Sequence, residues 1–172
     1  MLKKRKKIYD GRIIKLYKDT ININNRTFIR DIIVHPGSVV LIPLLNKKTK
    51  EIILIKQFRY AIGKYIFELP AGTLEKNENP LSCARRELKE ETGYIAKKIK
   101  KITEIYPSPG IMTEKMHIFI ATDLIKSQQE LDIDENISIK KIKLDEAIRM
   151  IKKGKITDAK TIVGLLLLKN FN

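Results

Sequence analysis

The segment that most constrains the fold of this chain is residues 79–93, because it carries signals for both the start and the end of a helix. Asn79 is a good N-cap residue, and Pro80 suits the first helical position, where its missing N–H is not needed. Gly93 suits the left-handed residue that closes a helix. The sequence therefore predicts a helix that runs to Thr92 between two stretches of strand-like sequence.

Short apolar runs of strand length surround this helix. Before it, strands are predicted at residues 12–17, 21–23, 27–34, 38–45, 51–57 and 65–69. After it, strands are predicted at 98–105, 115–122 and 136–141, and helices at 145–153 and 158–170. Because strands and helices are mixed and strands dominate the first half, the pattern favours an α+β fold with a mixed sheet packed between helices.

The first 35 residues have a pattern of their own. Asn24-Asn25 is typical of a hairpin turn between two β-like runs, and His35-Pro36-Gly37 then interrupts the alternation. We therefore expect residues 1–35 to form a small N-terminal antiparallel sheet and residues 36–172 to form the main domain. The basic run at residues 3–7 is interpreted as a solvated arm.

Composition favours a globular protein without disulfides. The chain has 172 residues, of which 43% are hydrophobic, and this is enough to build a core. Cys83 is the single cysteine, and no signal peptide is recognisable, so we expect a reducing, cytoplasmic setting. The longest apolar stretch, near residues 162–168, is too short to span a bilayer, and no membrane contact is expected.

The formal net charge of +15 attracts polyanions, which include both nucleic acids and phosphorylated small molecules. However, the lysines are dispersed, and no basic patch with interleaved aromatic residues stands out. Lysines that simply occupy surface positions are the preferred explanation of the charge. A nucleic-acid partner is therefore a secondary expectation.

Three carboxylates lie on one stripe of the predicted helix. Glu87, Glu90 and Glu91 are spaced i, i+3 and i+4, and like charges at this spacing repel each other. A hard divalent cation would relieve the repulsion, and Mg²⁺ prefers oxygen ligands of this kind. Considered alone, the spacing also fits an ordinary exposed helix with Glu–Arg and Glu–Lys pairs, so the residues around it decide between the two interpretations.

The surrounding residues extend the three carboxylates into a longer pattern. In order, it comprises Gly72, Glu78, Arg86-Glu87-Leu88, Glu90-Glu91 and Gly93-Tyr94. This spacing resembles the complete box of the Nudix hydrolase family, with Tyr94 where an aliphatic residue is more usual. The resemblance implies an α/β/α sandwich and a hydrolase that splits a pyrophosphate bond with the help of Mg²⁺, or of Mn²⁺ as a substitute.

The resemblance also implies a role for each box residue. The implied metal ligands are the carboxylates of Glu87, Glu90 and Glu91 and the backbone carbonyl of Ala71, and Glu91 is also a candidate catalytic residue. The implied structural residues are Gly72, Glu78, Arg86 and Gly93. Among these, Arg86 is expected to pair with Glu78 and hold the loop that precedes the helix.

Residues outside the box resemble one branch of the family, the ADP-ribose and nucleoside-diphosphate-sugar pyrophosphatases. The stretches that carry this resemblance are Gln57-Phe58-Arg59-Tyr60, Glu68-Leu69-Pro70-Ala71-Gly72, Ser108-Pro109-Gly110 and the tail from residue 145 to 171. The substrate-binding residues that it implies are Arg30, Asp31, Arg59, Ser108, Gly110 and Glu114. Arg59 is expected to contact the diphosphate, since a guanidinium matches phosphate geometry. The expected products are AMP and a sugar 5-phosphate.

The catalytic base is expected in the acidic loop 129–135, just before the strand predicted at 136–141. The resemblance favours Glu135, because the alternating strand begins directly after it. Glu130, Asp132 and Asp134 remain alternatives for the same role, and a plain solvated acidic turn is the non-catalytic alternative for the loop.

The branch also implies an assembly, since its members are typically homodimers that exchange N-terminal strands. Residues 1–35 would supply that exchange here. Two other functions stay open: a Nudix pyrophosphohydrolase that acts on RNA 5′ ends or oxidised nucleotides, and a non-catalytic nucleotide sensor. The sequence does not specify the physiological substrate, the number of metal ions or the residue that stacks on the purine.

Overall fold

The structure, a computed structural model, describes residues 1–131, 133 and 136–170. Its N-terminal part is a three-stranded antiparallel sheet in the order β1-β2-β3, with β1 at Leu2–Asp10, β2 at Lys15–Ile23 and β3 at Arg26–Val34. Asn24 and Asn25 have positive φ angles of 50° and 60°, which gives the two-residue hairpin turn predicted between β2 and β3.

Residues 3–7 are exposed to solvent, as predicted, but they lie within strand β1 and do not form a separate arm. Antiparallel pairing places Arg5 opposite Asp19 of β2, and the Arg5 guanidinium donates two hydrogen bonds to that carboxylate, at 2.8 and 2.6 Å. The runs predicted at 12–17 and 21–23 are also not separate strands, since both overlap the continuous strand β2.

The second sheet has seven strands in the described part of the chain and is mixed, as predicted. Its strands are β4 (Ser38–Asn46), β5 (Glu51–Arg59), β6 (Lys64–Glu68), β7 (Ala71–Thr73), β8 (Tyr94–Ile105), β9 (Met116–Lys126) and β10 (Ile137–Lys143). The main path is β10-β5-β4-β9-β8, with β6 paired to β5 and β7 paired to β4. The β4–β9 pairing is parallel, whereas the other pairings are antiparallel.

Helices cover both faces of this sheet. They are α1 (Pro80–Thr92), α2 (Leu144–Lys152) and α3 (Ala159–Asn170), and a short 3₁₀ turn at Tyr60–Ile62 links β5 to β6. Side chains alternate along a strand, so Val40 and Ile42 of β4 pack with α2 and α3, while Val39 and Leu41 pack with α1. This arrangement confirms the predicted α+β fold. No helix in the described ranges is long and apolar enough to cross a membrane.

Helix α1 begins and ends where the sequence predicts. The Asn79 side chain accepts hydrogen bonds from the backbone N–H groups of Leu81 and Ser82, at 2.9 and 3.1 Å. Gly93 closes the helix with a φ angle of 66°. An N-cap of this type stabilises a helix by about 1 kcal/mol. Because the two caps set where α1 begins and ends, they also set which side chains of α1 face the sheet.

Candidate active site

The carboxylates of α1 face strand β7. The core-facing residues Ala84 and Leu88 are fully buried, which turns the neighbouring stripe of the helix toward the strand. Glu87 and Glu91 are consequently 8% and 2% exposed, although buried carboxylates are costly unless they are paired. The backbone N–H of Ala71 in β7 donates to Glu91 Oε2 at 2.9 Å, which is one source of compensation.

Gly72 is required for this approach between helix and strand. A Cβ atom built at Gly72 would overlap the carboxylate of Glu87. The absence of a side chain at this position therefore lets the Glu87 carboxylate lie directly against the β7 backbone. In this way one glycine brings the helix carboxylates close to the main chain of residues 71 and 72.

Arg86 is the centre of an ion-pair cluster. Its Nε and Nη2 donate to the two oxygens of Glu78, both at 3.0 Å, so the pair expected between these residues is present. Its Nη1 donates to Glu87 at 2.7 Å and to Glu90 at 3.0 Å. The hydrogen bonds from Arg86 lower the pKa of the Glu78 carboxyl to about 2, and Glu78 therefore stays ionised over the physiological range.

The carboxylate oxygens of this site are ligands of the kind that a hard divalent cation prefers. In the described part of the chain, however, no group of three or more His, Cys, Asp or Glu side chains is already arranged to hold a metal ion. Arg86 instead bridges two of the carboxylates. One guanidinium carries a single charge against three carboxylates, so the cluster of Arg86, Glu78, Glu87 and Glu90 remains anionic.

The cluster opens into a cavity of about 1030 Å³. The main domain supplies Gly72, Arg86, Glu87 and Glu90 to its wall, together with residues 73–76. Strand β5 supplies Gln57 and Arg59, and the segment after β3 supplies His35 and Pro36. The N-terminal sheet and its first loop add Arg12, Ile13, Lys15 and Tyr17. The cavity is therefore lined both by acidic residues and by several basic residues.

Arg59 reaches the cavity from the end of β5 and is held by Glu68 of β6. Its Nε and Nη2 donate to the two oxygens of Glu68, at 2.5 and 2.8 Å. Burial would raise the pKa of the Glu68 carboxyl, but the hydrogen bonds from Arg59 and Lys160 outweigh it, and the pKa is lowered. Glu68 is therefore a buried anion that fixes the guanidinium of Arg59.

The other predicted substrate-binding residues do not line this cavity. Glu114 is 13% exposed and accepts a hydrogen bond from the Ser38 hydroxyl at 2.7 Å. Arg30 and Asp31 lie exposed on β3, where the Arg30 guanidinium stacks over the ring of Phe28. Ser108 and Gly110 lie in the loop between β8 and β9. Within a single chain, these five residues and the α1 carboxylates are not brought together around one cavity.

The acidic loop is anchored beside the carboxylate end of α1. Gln129 Nε2 donates to the backbone carbonyl of Glu91 at 2.6 Å, and the N–H of Glu130 donates to the carbonyl of Glu90 at 3.1 Å. The Glu130 side chain is 53% exposed and pairs with Lys89. Glu135, the predicted base, lies outside the described residues, as do the alternatives Asp132 and Asp134.

Several cavity residues were not predicted from the sequence. They are Arg12, Lys15, His35, Gln57 and residues 73–76. Gln57 had a usable signal, because residues two apart on a strand share a face and Arg59 was already a candidate. Its amide oxygen is buried without a hydrogen-bond partner among the described residues.

The fold and the box together define the class of this protein. The family model described as the NUDIX domain matches residues 35–163, which is most of the chain. The chain therefore belongs to the Nudix family and is a Nudix hydrolase. The solved structure titled "Crystal structure of ADP compounds hydrolase" matches it with a TM-score of 0.87 at 20% sequence identity. The match covers 99% of this chain and 92% of the chain in that structure. That match supports the fold.

Curated relatives are similar over nearly the whole length. The chain is 38% identical over 164 residues to the ADP-ribose pyrophosphatase of Bacillus subtilis, with 94% of this chain and 88% of the relative covered. It is also 38% identical over 165 residues to the methanol dehydrogenase activator of Bacillus methanolicus, with the same coverage. The GDP-mannose pyrophosphatase of Escherichia coli O1:K1 is 38% identical over 138 residues, with 75% of this chain and 72% of the relative covered.

Proposed function

We propose that this chain hydrolyses the pyrophosphate bond of ADP-ribose or a related nucleoside diphosphate sugar, giving AMP and a sugar 5-phosphate. The observation that carries the proposal is the cavity itself, because Arg59 lines it together with Glu87 and Glu90. A diphosphate needs both a cationic anchor and a divalent metal ion, and this cavity offers residues for each. The two relatives named as pyrophosphatases support the same class of substrate.

We propose that Glu87, Glu90, Glu91 and the backbone carbonyl of Ala71 bind Mg²⁺, with Mn²⁺ as a substitute. When bound, the metal would neutralise part of the negative charge of the pyrophosphate and lower the pKa of a bound water. Arg86 is already within 3.0 Å of Glu87 and Glu90, and it would hold these side chains in place by retaining its two bonds to Glu78.

The protein's own residues would carry out the remaining steps. Arg59 would anchor the phosphate on the cavity wall through N–H groups that Glu68 does not use. Glu135 would accept the proton from the attacking water, since a general base must lie within hydrogen-bond reach of it. Support for a base in this loop comes from its two ends: residues 129 and 130 are bonded to the end of α1, and Ile137 of β10 pairs with Gln57.

We also propose that the chain acts as a homodimer. The N-terminal sheet of residues 1–35 exposes large apolar side chains, including Ile8, Tyr9, Phe28 and Ile29. A surface of this kind on a three-stranded sheet is typical of a protein interface. The partner would bring Arg30 and Asp31 toward the active site of the other subunit, which would explain why they do not reach the cavity of their own chain.

The decisive experiment is a substrate panel in the presence of Mg²⁺ or Mn²⁺. It should contain ADP-ribose, GDP-mannose and other nucleoside diphosphate sugars, dinucleoside polyphosphates, oxidised deoxynucleoside triphosphates and 5′-triphosphorylated RNA. We expect ADP-ribose or another diphosphate sugar to have the highest kcat/KM. Faster turnover of the triphosphates or RNA would overturn the substrate class, and binding without turnover of any compound would favour a nucleotide sensor.

A further inference from the structure

A buried carboxylate connects the cavity to the C-terminal helix. The Glu68 side chain is 1% exposed and lies between two cations, Arg59 of β5 and Lys160 of α3. Lys160 Nζ donates to Glu68 Oε2, the same oxygen that accepts from Arg59 Nη2. Lys160 is itself 12% exposed and donates to Asp158 Oδ1 at 3.0 Å. Four alternating charges therefore run from the start of α3 to the cavity wall.

The α3 end of this row is fixed by backbone contacts. Asp158 Oδ2 accepts from the N–H and the hydroxyl of Thr161, at 3.0 and 2.6 Å, and so caps the helix. The Thr161 hydroxyl in turn accepts from the backbone N–H of Leu69 at 2.7 Å. Because Leu69 follows Glu68 directly, α3 is attached to this end of β6 through both the main chain and the ion pairs.

Stability alone is a poor reason for a row in which three of the four charges, those of Glu68, Lys160 and Asp158, are nearly buried. Removing charged groups from water costs several kcal/mol for each ion, and well-packed apolar residues are often as stabilising. The geometry of Arg59 suggests another purpose. Glu68 engages its Nε and Nη2, whereas no hydrogen bond in the described part of the chain engages Nη1. Arg59 also lines the cavity, so this edge of its guanidinium is available for an anion.

We propose that Lys160 is a positioning residue that controls how Arg59 binds the diphosphate of the substrate. Lys160 shares the charge of Glu68, so that Glu68 holds Arg59 in place without fully neutralising it. If Lys160 were absent, the row would contain two anions, Glu68 and Asp158, and a single cation, Arg59. Arg59 would then attract a phosphate less strongly. This inference rests on the proposed contact between Arg59 and the diphosphate.

A double-mutant cycle tests the proposal. KM and kcat are measured for the unmodified chain, Lys160→Met, Arg59→Met and the double variant, with the panel compound that the unmodified chain hydrolyses fastest. We expect Lys160→Met to raise KM about tenfold with little change in kcat, the pattern of lost substrate binding. In the Arg59→Met background the same substitution should change KM less than about twofold, because coupled residues are not additive.

The cycle separates this role from simple anchoring of α3. If Lys160→Met raises KM equally with and without Arg59, or does not raise it, the positioning role is overturned. If Arg59→Met leaves KM unchanged, the proposed diphosphate contact fails as well. Failure of ADP-ribose as a substrate would overturn only the substrate assignment, since the cycle uses whichever compound is hydrolysed.

Two further variants complete the design. Lys169→Met removes an exposed lysine from the last turn of the same helix and should leave KM unchanged. If Lys160→Met does not fold, Lys160→Gln replaces it in the cycle, because it removes the same charge and keeps a polar group beside Glu68 and Asp158. A rise in KM for Lys160→Gln that persists unchanged in the Arg59→Met background would equally contradict the proposal.

Discussion

Two arginines on the wall of the same cavity have opposite electrostatic surroundings. Arg86 is surrounded by the carboxylates of Glu78, Glu87 and Glu90, which leaves its cluster with excess negative charge. Arg59 belongs to a row in which two cations balance two anions, Glu68 and Asp158. An anionic cluster attracts a metal ion, whereas a balanced row leaves a guanidinium able to attract a phosphate. The surroundings of Arg86 are called the anionic half of the site below, and the surroundings of Arg59 are called the balanced half.

The largest effect is expected in the anionic half, from Glu91→Gln. Glu91 is 2% exposed and bonded to the Ala71 N–H, so glutamine keeps the shape but loses the charge proposed to bind metal. We expect kcat to fall about a thousandfold or more, the scale seen when a charge-stabilising group is removed. Steady-state kinetics at saturating Mg²⁺ measures this. The control is Glu146→Gln, which changes an exposed residue of α2. Near-normal turnover by Glu91→Gln would refute the assignment of Glu91 as a metal ligand.

A smaller loss is expected from the acidic loop 129–135. Glu135→Gln should lower kcat by at least about a hundredfold and leave KM close to normal, as expected for loss of a general base. Glu130→Gln is the matched control, because the Glu130 side chain is paired with Lys89 at the surface. The pH dependence of kcat should lose its acidic limb in Glu135→Gln. Normal kcat in this variant, with a loss in Glu130→Gln, would move the role of base to Glu130.

In the balanced half, Arg59→Lys should affect binding rather than chemistry. A lysine ammonium cannot donate two parallel hydrogen bonds to Glu68 and still present an edge to a phosphate. We expect KM to rise about twentyfold, which corresponds to roughly 1.8 kcal/mol of lost binding. Arg149→Lys on the exposed face of α2 serves as the matched substitution. If kcat of Arg59→Lys instead fell about twentyfold with unchanged KM, Arg59 would act only in the transition state.

The contrast between the two halves also explains what the sequence could predict. Glu78, Glu87 and Glu90 each lie within eight residues of Arg86 in the chain, and the resemblance to the Nudix box implied the Arg86–Glu78 pair. Lys160 and Glu68 are 92 residues apart, and only the docking of α3 onto the sheet makes them neighbours. The strand formed by the basic run 3–7 depends in the same way on pairing with Asp19.

The smallest effect concerns the Arg86–Glu78 pair and is a change in stability. The pKa of Glu78 is about 2, below its ordinary 4.5, so its charge contributes to stability above about pH 4.5 and the contribution is lost as the pH falls toward 2. Glu78→Gln should therefore lower the free energy of unfolding at pH 7 by about 1 kcal/mol, after allowance for solvent screening. The difference from the unmodified chain should shrink steadily between pH 4.5 and 2. Urea unfolding at several pH values measures it, with the exposed neighbour Glu75→Gln as control. A difference that stays constant with pH would show that packing, and not the charge of Glu78, stabilises the loop before α1.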